Sequence, residues 1–162
     1  MIRRGVLKII RVGAIALAVI VLVFAYIDLE TPASAFKDYG DAVKNGAVGP
    51  DKWLPSWLPK SARDIHEVHN IDSNVVWLEF KSMSSLQNLG KECQIMDRHG
   101  AQAALPDLSA GFPRSIRKSQ ELLSKAQAID AVQCKDSDVD RKWIAMRQIG
   151  ADVVYAWTLF EP

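Results

Sequence analysis

Hydrophobic and polar positions divide the chain into an apolar opening and a patterned remainder. Val12 to Ile27 is an uncharged apolar run, preceded by Arg3, Arg4, Lys8 and Arg11 and followed by Asp28 and Glu30. Phe36, Tyr39 and Val43 then fall at i, i+3 and i+7, which predicts a short helix over 31–45 closed by Gly46. Trp-Leu-Pro occurs twice, at 53–55 and 57–59. Prolines at that spacing forbid a regular helix or a central strand, so the stretch predicts a turn-built clasp whose tryptophans lie on something.

Residues 64–71 read as a helical turn followed by a short strand, with the small polar groups of a turn at Asn70, Asp72, Ser73 and Asn74. The next strand spans 74–81, placing Val76, Leu78 and Phe80 on one face and Val75, Trp77 and Glu79 on the other. Leu86, Leu89, Cys93 and Met96 form a helical stripe interrupted by Gly90. A loop over 99–112 leads to a helix that Pro113 opens and that runs to about Ala126. A strand over 128–134 precedes a hairpin of 142–149 and 152–160, whose second strand is apolar on both faces as a central strand requires.

The expected fold is therefore α+β: an amino-terminal transmembrane helix, then a small domain with a four- or five-stranded antiparallel sheet and two or three helices. Its expected divisions are a basic cytoplasmic segment, 1–11, a transmembrane signal-anchor, 12–29, and an exported domain, 31–162. Cations ahead of an apolar helix hold the amino end in the cytoplasm, so the remainder is expected in the periplasm of a bacterial inner-membrane protein. The uncharged run gives a helix of about 24 Å at 1.5 Å per residue, and Ile9, Ile10 and a snorkelling Arg11 extend it toward the roughly 30 Å hydrocarbon layer. Ala33-Ser34-Ala35 offers the competing reading, a signal peptide cut after Ala35. Asp28 and Glu30 make that cleavage region long and charged, which favours the retained anchor.

Composition narrows the function classes. The chain carries 20 basic and 19 acidic residues; residues 1–30 hold four and two of these, so the exported part has 16 against 17. A near-neutral domain has no electrostatic footprint for nucleic acid. The two cysteines, Cys93 and Cys134, both fall in the part expected to be exported, where an even count favours a disulfide. Two free buried thiols are the alternative.

Candidate chemistry is sparse, and no cofactor is expected. His66, Glu67 and His69 form the only histidine cluster. On a helix they could share a metal, whereas on a strand the two histidines, three apart, point to opposite faces. Asp136-x-Asp138-x-Asp140 imitates the start of a calcium loop, but Arg141 stands where the glycine belongs and Arg147 where the closing glutamate does. Ser34/Lys37 and Ser115/Lys118 have the Ser-x-x-Lys spacing without its companion motifs, and Asp107 replaces the glycine a nucleophile elbow at Ser109 needs. Trp53 and Trp57 are stronger candidates for recognition, since large aromatics dominate binding hot spots. Packing as a lid on the domain's own sheet is the competing role.

Residues 41–81 resemble a segment of small bacterial proteins that carry one amino-terminal apolar segment. The shared pattern is W-(I/L)-P-x-x-L-P-x-S-A-x-x-I, then H-N-x-D-(S/T)-N and a strand ending in Phe. Here it is carried by Trp53, Pro55, Leu58, Pro59, Ser61, Ala62, Ile65, His69, Asn70, Asp72, Asn74 and Phe80. Lys52 departs from the glycine that often precedes the first tryptophan. The resemblance implies an architecture and no mechanism.

The expected function is a membrane-anchored, non-catalytic binding or accessory module of the envelope, with another envelope protein as partner. An accessory subunit and an immunity protein that neutralises a delivered toxin both fit. The expected contact residues are Trp53, Trp57, His66, His69, Asn70, Asp72 and Asn74. The rival from a different class is a small envelope hydrolase, metal-assisted through His66, Glu67 and His69.

Overall fold

The computed structural model describes residues 14–22, 32–49, 51–103, 121, 125, 128–136 and 141–159. The chain divides into two compact units, Met1–Pro32 and Ala33–Pro162. In the first, residues 14–22 are helical and expose Ile15, Leu17 and Leu22. Among the described residues no helix is long and apolar enough to cross a membrane. The rest of the span expected at 12–29 lies outside them.

The second unit is built on one seven-stranded antiparallel sheet. Its strands are β1 (Ala33–Asp38), β2 (Arg63–His69), β3 (Val76–Lys81), β4 (Cys93–Ile95), β5 (Ile129–Lys135), β6 (Lys142–Gln148) and β7 (Val153–Thr158), in the order β1-β2-β3-β7-β6-β5-β4. Two short helices, α1 (Tyr39–Lys44) and α2 (Arg98–Ala103), and a 3-10 turn at Leu86–Asn88 complete the described elements. This corrects the expected fold class. The protein is mostly β, with seven strands rather than four or five and with no membrane-spanning helix among the described residues.

Each misplaced helix has an identifiable cause. Residues 33–38 pair with β2, Ala33 opposite Val68 and Phe36 opposite Ile65, and only then does a helix begin. Its cap is Asp38, whose side chain accepts from the Asp41 amide at 2.9 Å. The stripe of Leu86, Leu89, Cys93 and Met96 breaks at Gly90, where φ is +153°. That φ is one L side chains rarely adopt, so glycine lets the 3-10 turn reverse into β4. The helical turn expected near Asp64 is instead a bulge within β2: Asp64 has φ +47° and the pairing register shifts between Arg63 and His66. A short helix, α2, occupies part of the loop expected at 99–112. The helix expected over 113–126 lies outside the described residues, apart from 121 and 125, which are helical.

Strand alternation sorts the core onto two faces. Val76, Leu78 and Phe80 of β3 join Val154 and Ala156 of β7, Trp143 and Ala145 of β6, and Val132 and Cys134 of β5 on one face. Leu54, Trp57 and Leu58 from the clasp and Leu86 and Leu89 from the 3-10 turn cover that face. Trp77, Ile144, Met146 and Trp157 occupy the other. A strand buried on both sides needs apolar residues at every position, and β6 meets that demand from Trp143 to Met146, all buried.

Candidate functional site

β2 distributes its polar side chains by the two-residue period. Glu67 and His69 share the clasp-covered face and are 1% and 6% exposed, while His66 points to the opposite face and is exposed. The trio expected for a metal-assisted hydrolase is thus split across the sheet. Among the described residues no group of three or more His, Cys, Asp or Glu side chains is placed to hold a metal ion.

Glu67 and His69 meet directly, Oε1 to Nδ1 at 2.7 Å. Trp53 lies flat on the imidazole, with ring centroids 3.6 Å apart and planes 9° from parallel. The Arg141 guanidinium stands 6.0 Å from the Trp53 ring centre and donates to the Lys52 carbonyl at 2.9 Å. Burial raises the Glu67 carboxyl from 4.5 to about 8, opposed by a hydrogen bond with Ser34, its cross-strand neighbour. Burial also holds the His69 imidazole below its ordinary 6.5. Both groups are then neutral near pH 7, with the carboxyl donating to Nδ1. The order Ser34–Glu67–His69 puts the carboxyl in the middle, whereas nucleophile activation needs the imidazole between hydroxyl and carboxylate. What this chain of contacts does is tie the clasp to β1 and β2.

The clasp is anchored at two further points. Trp57 is buried and meets Trp143 edge-on, with ring centroids 5.7 Å apart. Ser56 Oγ donates to Asp136 Oδ1 at 2.6 Å, and Asp136 is buried. Two successive turns carry the chain across: the Pro55 carbonyl accepts from Leu58 at 3.1 Å and the Pro59 carbonyl from Ala62 at 2.8 Å. Trp57 therefore packs in the core while bordering the cleft beside the clasp, and Trp53 is half-buried. Asp138 and Asp140 lie outside the described residues.

At the other end of β2, Asn70 organises the turn. Its Oδ1 accepts from the Ser73 amide at 2.8 Å and the Ser73 hydroxyl at 2.9 Å, and its own amide donates to the Val75 carbonyl at 2.9 Å. Asn74 takes the left-handed position, with φ +55°. Asp72 is exposed at the tip.

Beside the clasp lies an open cleft of about 750 Å³. One wall is the outer side of the clasp, with Ser56, Lys60 and Ser61; the other is the stretch around the 3-10 turn, with Ser84, Asn88 and Glu92. Ser61 Oγ and Ser84 Oγ join the walls at 3.0 Å. The Arg147 guanidinium donates to the Ser84 carbonyl at 3.0 Å and pairs with Asp130 at 3.3 Å, fixing the second wall to the sheet. The cleft, Arg141 and Asp136 were not legible as site elements in the sequence. The Glu67–His69 pair was, in the spacing of H-E-V-H, once 63–69 is read as a strand.

A family model, the YbbD head domain, matches residues 30–81. That stretch takes in β1, α1, the clasp, β2 and β3, and the chain is similar to the head domain over it. The match supports the resemblance of residues 41–81 to a small bacterial family. No curated protein and no solved structure matches the chain.

Proposed function

We propose that this protein is a non-catalytic accessory module of the bacterial envelope, which binds another envelope protein through the cleft beside the clasp. The carrying observation is that cleft. It is about 750 Å³, open, and lined by hydroxyl, amide and single charged groups together with Tyr39, Trp57 and Leu89, so one of the two tryptophans that advertised recognition borders it. One wall belongs to the stretch that is similar to the YbbD head domain, which supports an accessory role in the envelope. Export is supported by the cations at 3–11 ahead of the apolar run and by the Cys93–Cys134 disulfide, a bond that persists in oxidising compartments. The exposed Asp72 and His66 extend the available polar surface away from the cleft.

The test is site-specific photocrosslinking in cells from position 60, in the cleft, and from position 66, on the opposite face of β2. One defined envelope protein should be captured from position 60 and not from 66, and Asn88→Arg, which fills the cleft, should abolish the capture. Equal labelling from both positions, or none from 60, would sink the reading. A carboxyl-terminal reporter active only in the cytoplasm would overturn export, and a mature chain beginning at Phe36 would show that the amino-terminal segment is removed.

A further inference from the structure

We propose that the Cys93–Cys134 disulfide is a thiol-sensitive latch on the cleft, holding the far end of its second wall against the sheet and releasing it on reduction. This rests on the reading of the cleft as the partner site. The wall runs from Ser84 to Glu92 and leads straight into β4, three residues long and, among the described residues, the last strand of the sheet and paired on one side only.

Apart from the bridge, β4 is held lightly. Lys135 N donates to the Glu92 carbonyl at 3.0 Å and Met96 N to the Ala131 carbonyl at 2.9 Å, with Gln94 opposite Gln133 between them. Gln94 is exposed and Ile95 is 69% exposed, so the strand brings little apolar burial of its own. The disulfide joins directly opposed residues at the start of the strand. The other end of the wall is secured differently, by Arg147 on the Ser84 carbonyl and by buried Leu86 and Leu89. Gly90 lies between the two ends at φ +153° and supplies a hinge. Loss of the bridge therefore frees residues 90–96, with Glu92, while 84–89 stays in place.

Access selects the point of attack. Cys134 is fully buried and Cys93 half-buried. A thiolate of a dithiol reductant attacks Cys93 Sγ, and Cys134 Sγ leaves as a thiolate that takes up a proton. The reductant's second thiol then displaces Cys93 from the mixed disulfide. The reductant departs as a cyclic disulfide, having delivered two electrons and two protons to the pair.

Hydrogen exchange of the full chain, read by mass spectrometry with and without dithiothreitol and in the C93S/C134S double variant, tests the latch. Exchange over 90–96 should quicken roughly tenfold or more in the reduced protein and the variant, while β3, β7 and β6 keep their protection. Unchanged exchange over 90–96 overturns the latch, and so does loss of protection across all strands, which would make the bond a staple of the whole fold. Crosslinking from position 60 separates the two readings. Capture by the oxidised protein and not by C93S/C134S supports the latch, and equal capture by both overturns it. No capture by either removes the cleft reading, leaving exchange to decide the latch.

Discussion

Replacing Glu67 by glutamine isolates the proton that the Glu67–His69 pair holds. In the fold the pair carries one proton, on the carboxyl, from below neutrality up to about pH 8. In the unfolded chain, with ordinary values of 4.5 for Glu67 and 6.5 for His69, it also carries one between those pH values, now on the imidazole. As pH falls through 6.5 the unfolded imidazole takes up a proton to match the one on the folded carboxyl, so the difference between the two states closes there. Above 6.5 the unfolded pair loses its proton while the folded Glu67 retains one, so stability falls as pH rises to about 8. The gap of about 1.5 units corresponds to a loss of roughly 2 kcal/mol at 1.36 kcal/mol per unit. For a folded unit of this size that is a fall in melting temperature of about 5–10 °C.

The substituted amide has no proton to lose and still donates to His69 Nδ1. Thermal melts of the wild type and Glu67→Gln at pH 6.5 and pH 8.5 should therefore show an alkaline loss in the wild type that the variant lacks, with similar melting temperatures at pH 6.5. A variant with the same alkaline loss would refute the assignment of the proton to Glu67. A variant much less stable at pH 6.5 would show that Glu67 is ionised and paired with a charged His69, and the reasoning would fail there too.

Trp57→Ala removes the edge-on contact with Trp143 from the covered face and should cost about 3–5 kcal/mol in chemical denaturation; a loss below about 1 kcal/mol would mean that the clasp does not seal the core. Asn70→Ala deletes the acceptor for the Ser73 amide and hydroxyl and should cost about 1 kcal/mol, whereas Asp72→Ala should leave the melting temperature unchanged. The reverse ranking would place the turn's organising side chain at Asp72.

The strands were legible wherever one face alternates or both faces are apolar. Val76 to Phe80 and the hairpin that includes Trp143–Met146 and Val153–Thr158 could be read from period and turn residues alone. The cysteine pair was legible too, because an even count needs no geometry. The failures share a cause. Residues 33–38 and 93–95 are edge strands, one rich in small residues and the other short, and each owes its extended conformation to a neighbour far along the chain: β2 for the first, β5 for the second. Local propensity saw only helical spacing there, because a strand's stabilisation comes from its partner's hydrogen bonds and side chains, which no window contains.

The candidate site divides the same way. The sequence by itself determined that Trp53 and Trp57 sit on a proline-built clasp, that 70–74 turns the chain, and that Glu67 and His69 share a face once β2 is a strand. Only the tertiary structure decided what those residues meet. It stacks Trp53 on His69, buries Trp57 against Trp143, gives Asp136 to Ser56, and opens a cleft between the clasp and a wall that is 23 residues further on from Ser61 to Ser84. Contacts at such separation depend on how the sheet orders its strands. Strand order β1-β2-β3-β7-β6-β5-β4 is the outcome of global packing, to which each segment contributes a pattern but no address.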